Sequence, residues 1–77
     1  MKIEILGTGC MKCKRLAKNV ENAVAELGIT ADIQKVEDIT AIMDRGVMLT
    51  PALIVDGELK VSGRVADVKE VKEILKR

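Results

Sequence analysis

Gly7-Thr8-Gly9-Cys10-Met11-Lys12-Cys13 stands between a short apolar segment, Lys2 to Leu6, and a longer stretch with helical periodicity. The apolar segment is rich in β-branched residues and ends at a glycine-containing turn, which predicts a strand. From Met11 to Leu27 the apolar residues recur at spacings of three and four, as one face of a helix requires: Cys13, Leu16, Ala17, Val20, Ala23, Val24 and Leu27. The sequence therefore predicts a strand, a turn that carries Cys10, and a helix with Cys13 on its apolar face.

The next two elements are a second strand and a short helix. Ala31 to Val36 alternates apolar and polar residues after a helix that returns the chain, which predicts a strand parallel to the first. Asp38 is a suitable N-cap for a helix that ends near Arg45. Its predicted apolar face consists of Ile39, Ile42 and Met43. Met43 and Met48 are both predicted to lie in the core.

The last third of the chain predicts a hairpin and a final helix. Ala52 to Val55 and Glu58 to Ser62 flank Asp56-Gly57, a dipeptide typical of type I′ turns. Asp67, followed three residues later by a glutamate, indicates an acidic variant of the capping box. The predicted order is β-α-β-α-β-β-α in one domain, residues 1–77. It fits an α/β fold with a four-stranded mixed sheet and helices on both faces.

Composition narrows the functional classes. The chain has 13 Lys and Arg against 12 Asp and Glu, and this net charge of +1 gives no strong attraction to nucleic acid or anionic membranes. It has no Phe, Tyr or Trp to stack on bases. Its start lacks the apolar core of a secretory signal, and no apolar run is long enough to span a bilayer. We therefore expect a cytoplasmic monomer without a nucleic-acid or membrane partner.

The two cysteines are the residues that carry chemistry. A disulfide between Cys10 and Cys13 would close too short a loop to add much stability. A structural zinc site is disfavoured because the chain has two cysteines and no histidine. In a reducing compartment, a Cys-x-x-Cys pair is more often catalytic or metal-binding than a permanent crosslink.

The two thiols are predicted to have different roles. Cys10 precedes the helix N-terminus, whose positive end favours a thiolate, and Lys12, Lys14 and Arg15 add positive charge. Cys10 is therefore the predicted nucleophile. Cys13 lies one step into the helix and is expected to be better buried, which suits a thiol that resolves a mixed disulfide on Cys10.

Taken together, these motifs resemble the thioredoxin/glutaredoxin superfamily over the whole chain. The resemblance rests on the glycine turn with Cys10-x-x-Cys13 at a helix start, on Thr50-Pro51 before a strand, and on the hairpin and terminal helix. Within it, the length of the chain and its Thr8-Gly9-Cys10-x-x-Cys13 form are similar to the small archaeal and bacterial glutaredoxin-like thioredoxins. The resemblance implies a thiol-disulfide oxidoreductase that reduces protein disulfides through a redox-active Cys10-Cys13 disulfide. It implies a flavin-containing thioredoxin reductase as electron donor. No bound cofactor is expected, because the chain has no dinucleotide-binding fingerprint.

The resemblance also assigns further site residues. Pro51 is implied to be the family's cis-proline, which offers the backbone of Thr50 to an extended substrate; the alternative is a proline that starts an edge strand. In relatives the turn that matches Gly63 borders the same groove. Met11 is either an exposed rim residue or an apolar contact for an incoming disulfide. Glu4, six residues before Cys10, stands where thioredoxins keep a buried carboxylate beneath the second cysteine. It is a candidate to accept the proton of Cys13. The alternative is an exposed strand residue.

The sequence departs from both branches of the superfamily. Leu49 replaces the threonine that glutaredoxins have two residues before the cis-proline, and Ser62 to Ala66 replaces their Gly-Gly-x-Asp-Asp segment. Glutathione binding is therefore not implied. Gly9 replaces the tryptophan that precedes the thioredoxin cysteines, so recognition of partners through that ring is not implied either.

Two other functions remain open. In a metallochaperone, Cys10 and Cys13 would bind Cu(I), a soft ion that accepts two thiolates. That family resembles β-α-β-β-α-β and usually has methionine two residues before the first cysteine, whereas this chain has Thr8 and ends in a helix. A noncatalytic interaction domain is the third possibility. It would leave unexplained why two thiols stand at a helix start beside three basic residues.

Overall fold

The computed structural model describes residues 1–9 and 11–76, and it has the predicted order of elements. The strands and helices are β1 Lys2–Leu6, α1 Met11–Leu27, β2 Asp32–Val36, α2 Ile39–Asp44, β3 Ala52–Val55, β4 Glu58–Ser62 and α3 Val68–Leu75. Among the helices in these ranges, none combines the length and the hydropathy needed to cross a membrane.

The four strands form one mixed sheet in the order β2-β1-β3-β4. β1 is parallel to β2, with Lys2 opposite Asp32, and antiparallel to β3, with Ile3 opposite Val55. β3 and β4 form the predicted hairpin, in which Asp56 and Gly57 both have positive φ, of 50° and 85°. Positive φ at both central residues is the type I′ geometry.

Strand alternation divides the apolar residues between two cores, one on each face of the sheet. The larger core joins the sheet to α1 and α3 through Ile3, Ile5, Leu16, Val20, Leu53 and Val71. The smaller core joins the opposite face to α2 through Leu6, Ile42, Val47, Ala52 and Ile54. The predicted arrangement of helices on both faces is therefore confirmed, and it sets β1 between the two helical layers.

The predicted apolar face of α2 is wrong except at Ile42. Ile39 and Met43 are largely exposed, and Met48 is 94% exposed rather than in the core. The helix has only six residues, fewer than two turns, so it presents one position to the sheet. Val47 fills the space beside Ile42 that the methionines were expected to occupy.

The N-terminus of α3 has half of the predicted capping box. The side chain of Asp67 accepts a hydrogen bond of 2.8 Å from the backbone N–H of Glu70. The carboxylate of Glu70 instead accepts hydrogen bonds from the guanidinium of Arg64, 2.7 Å from Nη1 to Oε1. This contact lowers the pKa of the Glu70 carboxyl from its ordinary value. The same contact raises the pKa of Arg64.

Replacing Asp67 with alanine is expected to lower the free energy of unfolding by about 1 kcal/mol, because a backbone N–H of the first turn loses its acceptor. Chemical denaturation measures the difference. Asn at the same position can also cap, so Asp67→Asn is the matched control and should retain most of the stability. Equal losses in both variants would mean that the charge, and not the hydrogen bond, stabilises this helix end.

Candidate active site

Three segments meet at Gly7, the first residue after β1. The N–H of Gly7 donates a hydrogen bond of 2.9 Å to the carbonyl of Val36 at the end of β2. A Cβ added at Gly7 would lie only 2.1 Å from Cys13 Sγ and 3.9 Å from Pro51 Cα. The start of α1 and the segment before β3 are therefore in close contact here, and only glycine leaves room for the thiol.

Cys13 lies in the N-terminal part of α1 with 6% of its surface exposed. The first turn of this 17-residue helix contains no acidic residue, so no carboxylate there offsets the positive end of the helix. Cys10 lies outside the described residues. Its predicted roles as nucleophile and as half of a redox-active disulfide stay predictions.

The Thr50–Pro51 peptide bond is cis, the isomer that the resemblance implied. Pro51 is buried, whereas Thr50 is exposed. The backbone N–H of Gly63 donates a hydrogen bond of 2.9 Å to the carbonyl of Pro51. Gly63 has φ of 77°, and an added Cβ would lie 3.1 Å from Leu49 Cβ. The turn after β4 thus holds the loop that carries Thr50 and Pro51.

Large apolar side chains are exposed in the first turn of α1 and in the loop that precedes Pro51. Met11, in the first turn of α1, is 80% exposed, and Met48 and Leu49 are also exposed beside Thr50. Of these three residues, only Met11 was predicted at this surface. The exposure of Met48 and Leu49 could have been predicted from their position in the connection at residues 46–50, because connections run over the surface.

Glu4 is the buried charged residue among the described parts of the chain, with 7% of its surface exposed. Its carboxylate accepts a hydrogen bond from Arg45 Nε at 2.8 Å, and Arg45 Nη2 lies 2.7 Å from the same oxygen. Arg45 is the C-cap of α2. Because Ile3 and Ile5 belong to the larger core, strand alternation puts Glu4 on the α2 face. α1, with Cys13, covers the other face.

A cavity of about 90 Å³ opens beside Cys13 on the α1 face of the sheet. Ile5 and Ala17 form part of its apolar wall, and its charged wall consists of Lys14, Lys35 and Glu37. Of the three basic residues predicted to stabilise a thiolate, Lys14 lines the cavity, while Lys12 and Arg15 are exposed on α1.

Lys35 and Glu37 line this cavity although no sequence motif marks them. β1 and β2 are parallel, so their carboxyl ends lie at the same edge of the sheet. Residues that follow β2 are thereby brought to the turn that follows β1. The parallel pairing of β1 and β2 was predicted from the sequence. Together with the position of the cysteines after β1, it was sufficient to predict that Glu37 lies near them.

Comparisons with known proteins match nearly the whole chain. The family model described as "Thioredoxin domain" matches residues 1–76. The chain is 51% identical over 75 residues to a thioredoxin of Methanothermobacter thermautotrophicus, covering 97% of each chain. It is 45% identical over 74 residues to a thioredoxin of Methanocaldococcus jannaschii, covering 96% of this chain and 85% of the relative.

Proposed function

The chain belongs to the thioredoxin family, whose members are thiol-disulfide oxidoreductases, and we propose that Cys10 and Cys13 are the reacting pair of this one. The observation that carries the proposal is the position of Cys13, buried at the start of α1 and packed against Gly7 beside Pro51. A thiol so enclosed is poorly placed to attack a large substrate. It is well placed to attack a disulfide formed on a residue three positions earlier.

The reaction proceeds by two thiol-disulfide exchanges. The thiolate of Cys10 attacks one sulfur of a substrate disulfide, forms a mixed disulfide and releases the other substrate sulfur as a thiolate. Cys13 then attacks the sulfur of Cys10 and releases the second substrate sulfur. The substrate gains two electrons and two protons, and Cys10 and Cys13 are left as a disulfide.

The charge around the helix start favours the first of these exchanges. The N-terminal end of α1 and the basic residues Lys12, Lys14 and Arg15 stabilise the thiolate of Cys10 over the thiol. The absence of an acidic residue from the first turn leaves this effect unopposed within the helix.

The substrate class is a protein disulfide in an extended segment. The exposed backbone of Thr50, next to the cis Pro51, offers hydrogen-bonding groups to such a segment, with Gly63 on one side. Met11 supplies an exposed apolar contact on the cysteine side, and methionine adapts its shape to different partners.

The same chemistry bears on the oligomeric state, the electron donor and the cellular location. Both thiols are in one chain, so a monomer is sufficient for turnover. The oxidised pair is returned to the dithiol by a flavin-dependent thioredoxin reductase, and the chain itself needs no bound cofactor. We place this cycle in the cytoplasm, where reductants keep such pairs reduced.

The test compares Cys10→Ser with Cys13→Ser in reduction of a protein disulfide such as that of insulin. Both variants should lose turnover. Only Cys13→Ser should accumulate a mixed disulfide with the substrate, detected by mass spectrometry, because it can attack but not resolve. Accumulation in Cys10→Ser instead would reverse the two roles, and turnover that survives in both variants would overturn the proposal.

Alkylation of the reduced protein at a series of pH values separates this function from Cu(I) transport. Cys10 should react with a midpoint below the value of about 8.5 that an ordinary cysteine has, and Cys13 should react slowly throughout. If both cysteines react alike with ordinary midpoints, the pair is an open two-thiolate site. Tight 1:1 binding of Cu(I) without disulfide turnover would then establish the metallochaperone function.

A further inference from the structure

Resolution of the mixed disulfide requires the thiol of Cys13 to lose its proton before or during attack, because the thiolate is the nucleophile. The proposed function leaves open which group accepts this proton. Glu4 is buried, but it is bound to Arg45 on the α2 face of the sheet. The thiol of Cys13 lies on the α1 face, in contact with Gly7.

From the cavity beside Cys13, we propose that Glu37 is the proton acceptor for this thiol. The proposal rests on the proposed function and names a residue for its second step. Glu37 and Cys13 both line the cavity, and Glu4 does not. Lys35 pairs with Ile5, which belongs to the core on the α1 face. Glu37 comes two residues after Lys35, so alternation along the chain places it on the same face of the sheet. The fold thus directs the carboxylate toward the face that carries Cys13.

The carboxylate of Glu37 lies beside the turn that follows β1. Oε2 of Glu37 lies 3.6 Å from where a Cβ on Gly9 would be. The bond from Gly7 N–H to the Val36 carbonyl holds the end of β2, next to Glu37, against the same turn. Cys13 packs against one end of this turn at Gly7, and Glu37 lies near the other end at Gly9. The two groups therefore flank the same three-residue turn.

The cavity provides the path for the proton. Its volume of about 90 Å³ is large enough for water, which needs roughly 10 to 15 Å³, and its wall is partly charged. A base can accept a proton through one water molecule as well as by direct contact. Among residues 1–9 and 11–76, Lys14 and Lys35 are the titratable groups on this wall besides Cys13 and Glu37. Their positive charges stabilise the thiolate that the transfer produces.

Resolution combines one proton transfer with one exchange of disulfide bonds. The S–H bond of Cys13 breaks and its proton passes through water to the Glu37 carboxylate. The thiolate forms a bond to the sulfur of Cys10, and the bond from that sulfur to the substrate breaks. The substrate sulfur leaves as a thiolate and takes a proton from solvent. Glu37 is exposed, so it returns its own proton to solvent before the next turnover.

The test uses the full reduced chain and Ellman's reagent, a small aromatic disulfide, as the probe. Attack by Cys10 releases one coloured thiolate, and resolution by Cys13 releases the second, so stopped-flow absorbance measures the two steps separately. Glu37→Gln should slow the second release by about 10- to 100-fold at neutral pH, because general-base assistance is lost. The first release should change by less than about twofold. The second rate should recover as pH rises, because hydroxide then removes the proton.

Two variants provide the controls. Glu37→Asp retains a carboxylate on the cavity wall and should keep much of the second rate, which a purely steric role of the side chain would not produce. Glu4→Gln should leave the second release at neutral pH unchanged. A slowed second release in Glu4→Gln with a normal one in Glu37→Gln would overturn the proposal and make Glu4 the acceptor.

A second release that is slowed equally at all pH values would also overturn the proposal, since it indicates a change of geometry. The proposed function has a different failure. If the wild-type protein itself gives no second release, Cys13 does not resolve a disulfide on Cys10, and the function is wrong independently of Glu37.

Discussion

Gly7→Ala is expected to lower the free energy of unfolding by about 3 kcal/mol and to slow resolution by Cys13. The new Cβ would lie 2.1 Å from Cys13 Sγ and 3.0 Å from Cys13 Cβ, so either α1 or β1 must shift. Inserting atoms into a closely packed site typically costs about 1 to 3 kcal/mol. Urea denaturation gives the loss of stability, and the second release from Ellman's reagent gives the loss of rate.

Two comparisons show whether the steric contact is the cause. Gly46→Ala has open space around the added Cβ but a positive φ of 73°, so it should lose only about 1 to 2 kcal/mol from the backbone conformation. The pair Gly7→Ala and Cys13→Ala should be strongly non-additive, because removal of the sulfur relieves most of the contact. Additive losses, or a Gly7→Ala loss no larger than that of Gly46→Ala, would mean that the site accommodates the methyl group.

Arg45→Ala is expected to lower the free energy of unfolding by about 2 kcal/mol, because it leaves the carboxylate of Glu4 buried without its partner. Breaking a fully buried pair costs about 3 to 5 kcal/mol. The smaller value applies here because 34% of the Arg45 side chain is exposed, whereas 9% of the Glu4 side chain is exposed. Thermal or urea denaturation of the two proteins measures the difference.

Lys72→Ala is the matched control for this ion pair. It removes a cation from Glu26, 3.0 Å away, whose side chain is 53% exposed rather than 9% as in Glu4, and should change the stability by less than about 1 kcal/mol. Glu4→Gln combined with Arg45→Ala should recover part of the Arg45→Ala loss, because the buried group is then neutral. No recovery in the double variant would show that Arg45 stabilises α2 through its packing or its hydrogen bond to the carbonyl of Ala41, 3.1 Å away.

Local patterns predicted the elements well because each has its own physical signal. Three-and-four spacing marks α1, the Asp56-Gly57 dipeptide marks the hairpin, and Asp38 and Asp67 mark helix starts by their side-chain bonds to Thr40 and Glu70. The signal weakens where an element is short. α2, with six residues, has too few positions to define a face, and so the core assignment of Met43 was wrong. Met48 was also wrongly assigned to the core, because it lies beyond α2 in the connection to β3, which runs over the surface.

Local sequence patterns were sufficient to predict the order of the elements, the helix start at the cysteines and the proline before β3. The surroundings of Cys13, in contrast, depend on how the strands pair. Glu4 stands close to Cys13 in sequence, yet strand alternation turns it to the opposite face, where Arg45 binds it. Glu37, 24 positions after Cys13 in the chain, reaches the same cavity because β1 and β2 are parallel and end at one edge of the sheet. Sequence distance gives no measure of such contacts, because pairing between strands sets them.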